Sequence, residues 1–398
     1  MSEHVPAPPK PEVFNPADAG IWYAAFVAMG AVGLAASLIG AIWGDRQQFG
    51  FSWLVACMYF FTLAVGGMFW VLVHHATDAE WSVLVRRVLE NLAVLVPVTL
   101  LFFIPAFLCA KHIWSWWDIP VGIDSVLDKK RWYLSHGFFL FRFVIYFVGL
   151  STVAVALRRN SVSQDADGNP VRTLAMRKLG IAGIPIFALS LTFCAFDWLM
   201  GLDYKWGSTM WGVYIFAGAA GSSMSLLVLL VTGLRSKGYL KGVTLEHYHV
   251  LGKLMLAFCI FWAYIGFSQY MLIWYANIPE ETEYFIRRNI SSWHTLSTLL
   301  VVGRFFLPFP LLLLQWTKKT LRMICSVAAW MLVMQYLDLY VIIMPMLHKT
   351  GFAPSFLDLF TLMGIGGTLG ALFLWLLPKT NLFPLRDPRL PESLRLTN

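Results

Sequence analysis

Charged side chains inside long apolar stretches are the residues of this sequence that could do chemistry. They are Glu90, Arg142, Asp197, Lys253, Arg304, Asp338 and Asp358. An ionisable group at the centre of a bilayer costs roughly 3 kcal/mol or more, so each needs a partner, a water-filled cavity or a function. Arg304 and Asp338 lie nearest the centres of neighbouring stretches, and we expect them to form an ion pair. That pair would serve either as a structural salt bridge or as part of a proton path.

Further polar residues extend from this pair along the adjacent stretches. The candidates for a proton-conducting chain are Lys253, Tyr264, Gln269, Arg304, Gln335 and Asp338. Lys253 enters its stretch from the predicted cytoplasmic side, and Tyr264 and Gln269 continue that stretch outward. Gln335 precedes Asp338 by less than one helical turn. These groups predict a polar route across three neighbouring segments.

A second polar group gathers at the outer ends of two other stretches. Its members are His136, Arg142, Asp197 and Asp203. A quinone site needs a narrow apolar slot with polar groups for the two ring oxygens, and quinol oxidation also needs a proton acceptor. His136 and Asp197 have that chemistry. The alternative is that these residues lie at the membrane interface and are satisfied by water.

Glu90, His74 and His75 mark the inner mouth of two further stretches. Their position near the ends of those stretches favours solvation by water over a functional role. Asp358, near the end of the last stretch, is expected to be solvated for the same reason.

The cysteines argue against bound redox centres. Cys57, Cys109, Cys194, Cys259 and Cys325 lie in separate stretches, with no C-x-x-C or C-x-x-C-H motif. Iron–sulfur clusters and attached c-type haem are therefore not expected, and no histidine lies deep enough in a stretch to suit a membrane haem. We predict no metal site and no covalently attached or metal-ligated cofactor, so this chain alone would not carry electrons across a bilayer.

The composition determines the fold class. Hydrophobic residues make up 58% of the 398 residues, charged residues make up 13%, and the mean hydropathy is +0.66. Unpaired backbone amides are costly in hydrocarbon, and continuous apolar runs without alternation indicate helices and not a barrel. We therefore predict an all-α integral membrane protein with ten transmembrane spans. The spans are 20–43, 52–73, 88–110, 134–157, 179–200, 209–234, 250–276, 292–316, 323–347 and 355–377.

The distribution of Lys and Arg predicts the orientation. Eighteen lie on the side that holds both termini, nine lie on the other side, and three lie inside spans. By the positive-inside rule, both termini are expected to be cytoplasmic. The predicted organisation is a Pro-rich cytoplasmic arm (1–19), one membrane domain (20–378) and a cytoplasmic tail (379–398). The net charge of +8 is attributed to topology and anionic lipids, because no basic folded domain suggests nucleic-acid binding.

Three segments resemble a known family. They are 196–218 (FDWLMGLDYKWGSTMWGVYIFAG), 261–285 (FWAYIGFSQYMLIWYANIPEETEYF) and 336–345 (YLDLYVIIMP). They resemble the ActF-type membrane subunits of bacterial alternative complex III, a quinol:electron-acceptor oxidoreductase within the wider NrfD-like group. The resemblance extends over all ten spans.

The resemblance implies a specific architecture and specific partners. Spans 2–5 and 6–9 would form two four-helix bundles, with spans 1 and 10 flanking them, in a bacterial inner (cytoplasmic) membrane. Expected partners are a sister ten-span NrfD-like subunit, an iron–sulfur protein, multihaem and monohaem cytochromes c, lipids and a cytochrome oxidase. Haem c and iron–sulfur clusters would reside in those partners, and the quinol would be menaquinol or ubiquinol. Asp197 is similar to the Asp of the family's quinol site, and His136 is matched less closely to its His.

The functional expectation is a non-redox subunit of a respiratory quinol:cytochrome c or terminal-oxidase oxidoreductase. It would contribute a quinone-type pocket, a proton-translocation path or both, and would not be catalytic alone. The alternative is a stand-alone secondary transporter with broken helices. The prolines that could break helices do not pair between two halves of the sequence as inverted repeats would.

Overall fold

Long helices dominate the computed structural model, which describes residues 10–397. It is 79% helical, and no strand occurs within those residues. Ten helices are long and apolar enough to cross a membrane, as predicted. They are Pro16–Trp43, Arg46–Ala76, Glu80–Leu108, His136–Asp167, Pro170–Leu202, Trp211–Ser236, Leu245–Ala276, Ser291–Leu313, Leu321–Met346 and Phe356–Lys379, numbered spans 1 to 10. Residues 1–9 of the predicted arm lie outside the described part of the chain.

Local capping explains where several spans begin and end. Asp45 caps span 2 by accepting a hydrogen bond from the amide of Gln47 at 2.8 Å. Asn169 caps span 5 in the same way, and Pro170 occupies its first position. Span 7 ends at Ala276, and the next residue, Asn277, has a φ of 50° and so takes the left-handed conformation that stops a helix.

Span 3 begins earlier than predicted. The sequence predicts its start at residue 88, just after Arg86 and Arg87. The structure begins the helical segment at Glu80, and both guanidiniums are buried and paired inside the protein. Protein carboxylates, not water, satisfy these charges.

Spans 3 and 8 are interrupted. Span 3 breaks around Phe102, whose carbonyl accepts hydrogen bonds from Trp53 Nε1 at 2.7 Å and from Cys57 Sγ at 3.1 Å. Span 8 contains a π-helical turn, Val302–Phe306, followed by Pro308. Backbone groups freed by such breaks must find partners in a membrane, and here side chains of neighbouring spans supply them.

Spans 1 and 10 form the closest helix pair. A Cβ added to Gly33 would lie 2.3 Å from the backbone nitrogen of Gly364, and one added to Gly367 would lie 2.3 Å from that of Gly30. Only glycine permits this approach, which is the usual basis of tight helix association in lipid. The pair packs against span 2.

The remaining spans pack in a regular pattern. Span 2 contacts spans 3 and 5, and span 4 contacts the same two. Span 6 contacts spans 7 and 9, and span 8 contacts those two. Spans 2 and 6, the most buried of the ten, contact each other and join the two groups.

Both ends of the described chain meet on one face, which we call the terminal face; the other is the opposite face. Val13 and Asn381 form an antiparallel bridge, and the amide of Leu382 donates to the carbonyl of Glu12 at 2.8 Å. Farther along the tail, Asp387 binds Arg86 of span 3. The tail thus covers the ends of the spans.

The expected solvation of Glu90, His74 and His75 is wrong. All three are buried, with exposures of 1%, 2% and 1%. Glu90 lies within 3.5 Å of Arg86 and accepts a hydrogen bond from Ser161 at 2.8 Å. A position near the end of a span does not reach water when another segment folds over it.

Candidate functional site

Asp338 in span 9 is the centre of a buried polar cluster between spans 6, 7, 8 and 9. Its Oδ2 accepts from Arg304 Nη1 at 2.8 Å and from Trp262 Nε1 at 3.1 Å. Its Oδ1 accepts from the hydroxyl of Tyr214 at 2.6 Å. Four spans therefore contribute one side chain each to this site. With Gln335, these residues are called the Asp338 cluster.

The π-helical turn positions Arg304. Its carbonyl accepts from Cys259 Sγ at 3.3 Å, and its guanidinium lies 4.5 Å from the ring centre of Trp262. One guanidinium nitrogen binds Asp338 and a second binds Gln335 Oε1. A Cβ on Gly218 would lie 3.0 Å from that second nitrogen, so a small residue is needed there. The expected Arg304–Asp338 ion pair is thus present, and one arginine bridges an acid and an amide.

Gln335 extends the cluster toward span 2. Its Nε2 donates to Thr62 Oγ1 at 3.2 Å, and both side chains are buried. Tyr336 follows on span 9, with its ring 5.6 Å from that of Tyr59 and 6.1 Å from that of Tyr340. Polar groups thus continue along spans 2 and 9.

The other proton-path candidates lie elsewhere. Lys253 is exposed on span 7, and Tyr264 is 64% exposed on the same helix. Gln269 is buried, but its Oε1 accepts from Ser208 at 2.8 Å and its Nε2 donates to the carbonyl of Ile265. The structure brings Arg304, Gln335 and Asp338 together and does not bring these three residues to them. In lipid an apolar helix can present tyrosine outward, so spacing alone did not fix the direction of Tyr264.

Asp197 in span 5 forms a second buried pair, with Arg142 in span 4. The Arg142 Nε and Nη2 atoms donate to the two carboxylate oxygens at 2.9 and 2.8 Å. The hydroxyl of Tyr146 donates to Asp197 at 2.8 Å. Arg142 also donates to the carbonyl of Tyr133 at 2.8 Å and lies 3.8 Å from the centre of its ring. This two-pronged geometry engages both oxygens of the acid.

The remaining quinone-pocket candidates have other partners. His136 is exposed, and its Nε2 lies 2.7 Å from the carbonyl oxygen of Trp117. Its ring stacks on the Trp117 ring, with the ring centres 4.2 Å apart. Asp203 accepts from Arg287 at 2.9 Å. The four candidates therefore occupy three separate places, and only Arg142 and Asp197 are joined.

Two tyrosines and one tryptophan of these sites were missed from the sequence. Tyr214 lies in segment 196–218 and Trp262 lies in segment 261–285. Both segments resemble the known family, so they could have indicated these two residues. Tyr146 follows Arg142 by one helical turn, a spacing that places both on one face.

Asp358 is a further correction. It was expected to be solvated, but it is 8% exposed. It accepts from Ser52 at 2.5 Å, from Tyr340 at 3.0 Å and from Gln48 at 3.3 Å. It also caps its own helix through the amide of Ser355. Span 2 supplies two of these partners, which chain order did not indicate.

Outside the spans, electrostatics hold the tail in place. Burial alone would raise the pKa of Asp387, but Arg86 and Arg389 outweigh burial and hold that pKa below its ordinary value. Within residues 10–397, no group of three or more His, Cys, Asp or Glu side chains could hold a metal ion. The five cysteines are free thiols.

The arrangement can therefore hold one carboxylate rigidly and another in a connected polar network. Each carboxylate accepts from a tyrosine hydroxyl with which it can exchange a proton, Tyr214 at Asp338 and Tyr146 at Asp197. Asp197 has less freedom to do so, because one arginine holds both of its oxygens. No protein-family model matches this chain, and no curated protein is detectably similar to it.

Proposed function

We propose that this chain is a non-redox membrane subunit of a respiratory quinol:cytochrome c or terminal-oxidase oxidoreductase, and that it provides a proton-translocation path. The observation that carries the proton path is the Asp338 cluster, a buried carboxylate with tyrosine, tryptophan and arginine donors from three other spans. An ionisable group in this position is a functional-site hypothesis by default. Membership of the complex rests on the family resemblance of segments 196–218, 261–285 and 336–345.

The proton step is assigned to Asp338 and Tyr214. Asp338 accepts a proton, and the hydrogen bond to Tyr214 then reverses, so that the carboxylic acid donates to the tyrosine oxygen. Arg304 stabilises the charged form and keeps its second bond to Gln335. Because Arg304 holds the carboxylate through one nitrogen only, the pair can open without losing every contact.

The proposed architecture is two four-helix bundles, spans 2–5 and spans 6–9, with spans 1 and 10 flanking and both termini cytoplasmic. The packing supports it, because each contact in the first group has a counterpart four spans later. Spans 2 and 5 correspond to spans 6 and 9, and spans 3 and 4 to spans 7 and 8. The excess of Lys and Arg on the terminal face supports the orientation. The proposed location in a bacterial inner membrane rests on the family resemblance.

A quinone pocket at Asp197 receives less support. Both oxygens of that carboxylate are engaged by Arg142, and His136 stacks on Trp117. A proton acceptor for quinol would need a free oxygen facing the slot. We therefore assign oxidation of menaquinol or ubiquinol to the sister subunit, with haem and iron–sulfur clusters in other partners.

The transporter alternative has one observation in its favour. The interrupted spans 3 and 8 hold the same place in two five-span halves, as an inverted repeat would require. The packing argues against such halves. Spans 2 and 5 pack closely, whereas their five-span counterparts, spans 7 and 10, do not.

Affinity purification in a mild detergent tests the complex. We expect the tagged chain to bring down haem-containing cytochromes, an iron–sulfur protein and a second ten-span subunit, identified by absorbance and mass spectrometry. A chain that purifies alone, stable and colourless, would contradict the proposal and favour transport assays.

A further inference from the structure

A wide cavity opens on the opposite face of the molecule. Its volume is about 740 Å³. Four loops border it, those between spans 3 and 4, 5 and 6, 7 and 8, and 9 and 10. Each loop contributes one basic residue, and these are Lys111, Lys205, Arg287 and Lys349. Positive charges distant in sequence thus converge on one concave surface.

The acidic residues of the cavity do not neutralise this charge. Asp203 and Glu283 both bind Arg287. Lys205 lies 3.4 Å from Asp124, which is a loose ion pair on an exposed side chain. Lys111 and Lys349 form no salt bridge within residues 10–397. Two cations are therefore available to an anionic ligand.

The floor of the cavity distinguishes between possible anions. Its apolar residues are Phe51, Ile113 and Leu202, each no more than 3% exposed, and Ile119, Met346 and Leu347, which are half-buried. A phospholipid would need exposed apolar surface for its acyl chains beside the charges. Surface carboxylates of a water-soluble protein need only the charged rim, so they fit this cavity better.

We propose that the cavity receives an acidic segment of a water-soluble protein that docks on the opposite face. The inference deepens the proposed function, on which it rests for the existence of such a partner. Complementary charge at a rim of this kind steers association and sets its salt dependence.

The test uses the whole chain in nanodiscs of phosphatidylcholine, with a fluorescent hexaglutamate peptide as probe. Fluorescence anisotropy at low salt should show binding, and hexaglutamine should not bind. The double variant Lys111→Gln with Lys349→Gln should weaken binding about fivefold or more, because it removes both unpaired cations.

Lys129→Gln is the matched control, since Lys129 is exposed on the same face, forms no salt bridge and does not line the cavity. Its affinity should stay within about twofold of the parent. An equal loss per charge removed in the control and in the double variant would overturn the site, because general surface charge would then explain binding. Displacement of the peptide by glycerol 3-phosphate at equal concentration would assign the cavity to a headgroup and also overturn it.

This outcome is separable from the proposed function. Peptide binding is measured on the chain alone, whereas complex membership is measured by co-purification. If the complex purifies intact, Lys111→Glu with Lys349→Glu should release a soluble partner at moderate salt. Retention of every soluble partner by that variant would overturn the inference and leave the complex standing.

Discussion

The two buried arginine–aspartate pairs resemble each other in composition and differ in how they are held. Arg142 and Asp197 join spans 4 and 5 near the opposite face, and Arg304 and Asp338 join spans 8 and 9 deeper in the protein. Asp197 receives two bonds from one guanidinium and one from the Tyr146 hydroxyl, whereas Asp338 receives one from its arginine and two from the neutral side chains of Tyr214 and Trp262.

The two pairs have similar charge and burial, so these two properties do not by themselves distinguish a structural acid from a candidate functional one. A bidentate ion pair loses two strong hydrogen bonds at once when it opens, and this geometry suits a structural role. An acid shared between an arginine, a tyrosine and a tryptophan can change one bond at a time. Connectivity is the feature that separates the two pairs.

The largest loss of stability is expected for Asp197→Ala. It leaves Arg142 buried without its carboxylate, and we expect the free energy of unfolding to fall by about 3–5 kcal/mol. Thermal or denaturant unfolding in detergent would measure it. The control Asp203→Ala removes a partly exposed acid and should cost less than about 1 kcal/mol. A small loss at Asp197 would mean that the pair is not structural.

Asp338→Asn should cost less stability than Asp197→Ala, about 2–3 kcal/mol, because the charge opposite Arg304 is lost but the amide oxygen still accepts hydrogen bonds. It should nevertheless reduce proton translocation per electron, since an amide does not take up a proton. The measurement is proton release by the complex in liposomes during quinol oxidation. An assembled variant with unchanged stoichiometry would remove Asp338 from the proton path.

Tyr214→Phe and Tyr146→Phe form a matched pair. Each deletes one hydroxyl that donates to an aspartate, so each should lower stability by about 1–1.5 kcal/mol. Only Tyr214→Phe should slow proton translocation, by several-fold. Equal slowing in both variants would abolish the distinction between the two sites.

The smallest expected change in stability comes from the ionisation of Tyr133, next to the Arg142–Asp197 pair, at alkaline pH. Burial, and then the charge of Asp197, raise the pKa of Tyr133, which lies outside the spans. The unfolded chain therefore loses this proton first, and stability falls as pH rises above about 10. The contribution of Tyr133 should reach about 0.8 kcal/mol at pH 10.5. Comparing denaturation midpoints of the parent and Tyr133→Phe at pH 8 and 10.5 isolates it, and identical shifts would contradict the assignment.

The ten spans could be predicted because segments that cross a membrane must be helices with paired backbone amides, and such helices appear in the sequence as long, continuous apolar stretches. The Arg304–Asp338 contact could be predicted because consecutive spans 8 and 9 are antiparallel neighbours. Tyr214 could not be assigned to Asp338, since chain order does not say that span 6 packs against span 9. The sequence also did not indicate whether Tyr264 faces lipid or the protein interior, because a helix that is apolar on all sides has no polar face that shows its orientation.

Surface features were harder to predict than the core. Glu90 and Asp358 lie where a sequence suggests water, yet span 4 supplies partners to Glu90 and span 2 supplies partners to Asp358. Both errors come from contacts between segments far apart in the chain. Such contacts depend on how the helices pack in the folded protein, and the periodicity and composition of the sequence do not reveal this packing.

The glycine contact between spans 1 and 10 has a consequence for membrane insertion. The ribosome delivers these spans first and last among the ten, so span 1 must remain in the bilayer while eight others are inserted. Until span 10 arrives, the surface formed by Gly30 and Gly33 faces lipid or an insertion factor. Completion of this pair is therefore a late event in biogenesis, and Gly33→Leu should trap a nascent protein whose other helices have already assembled.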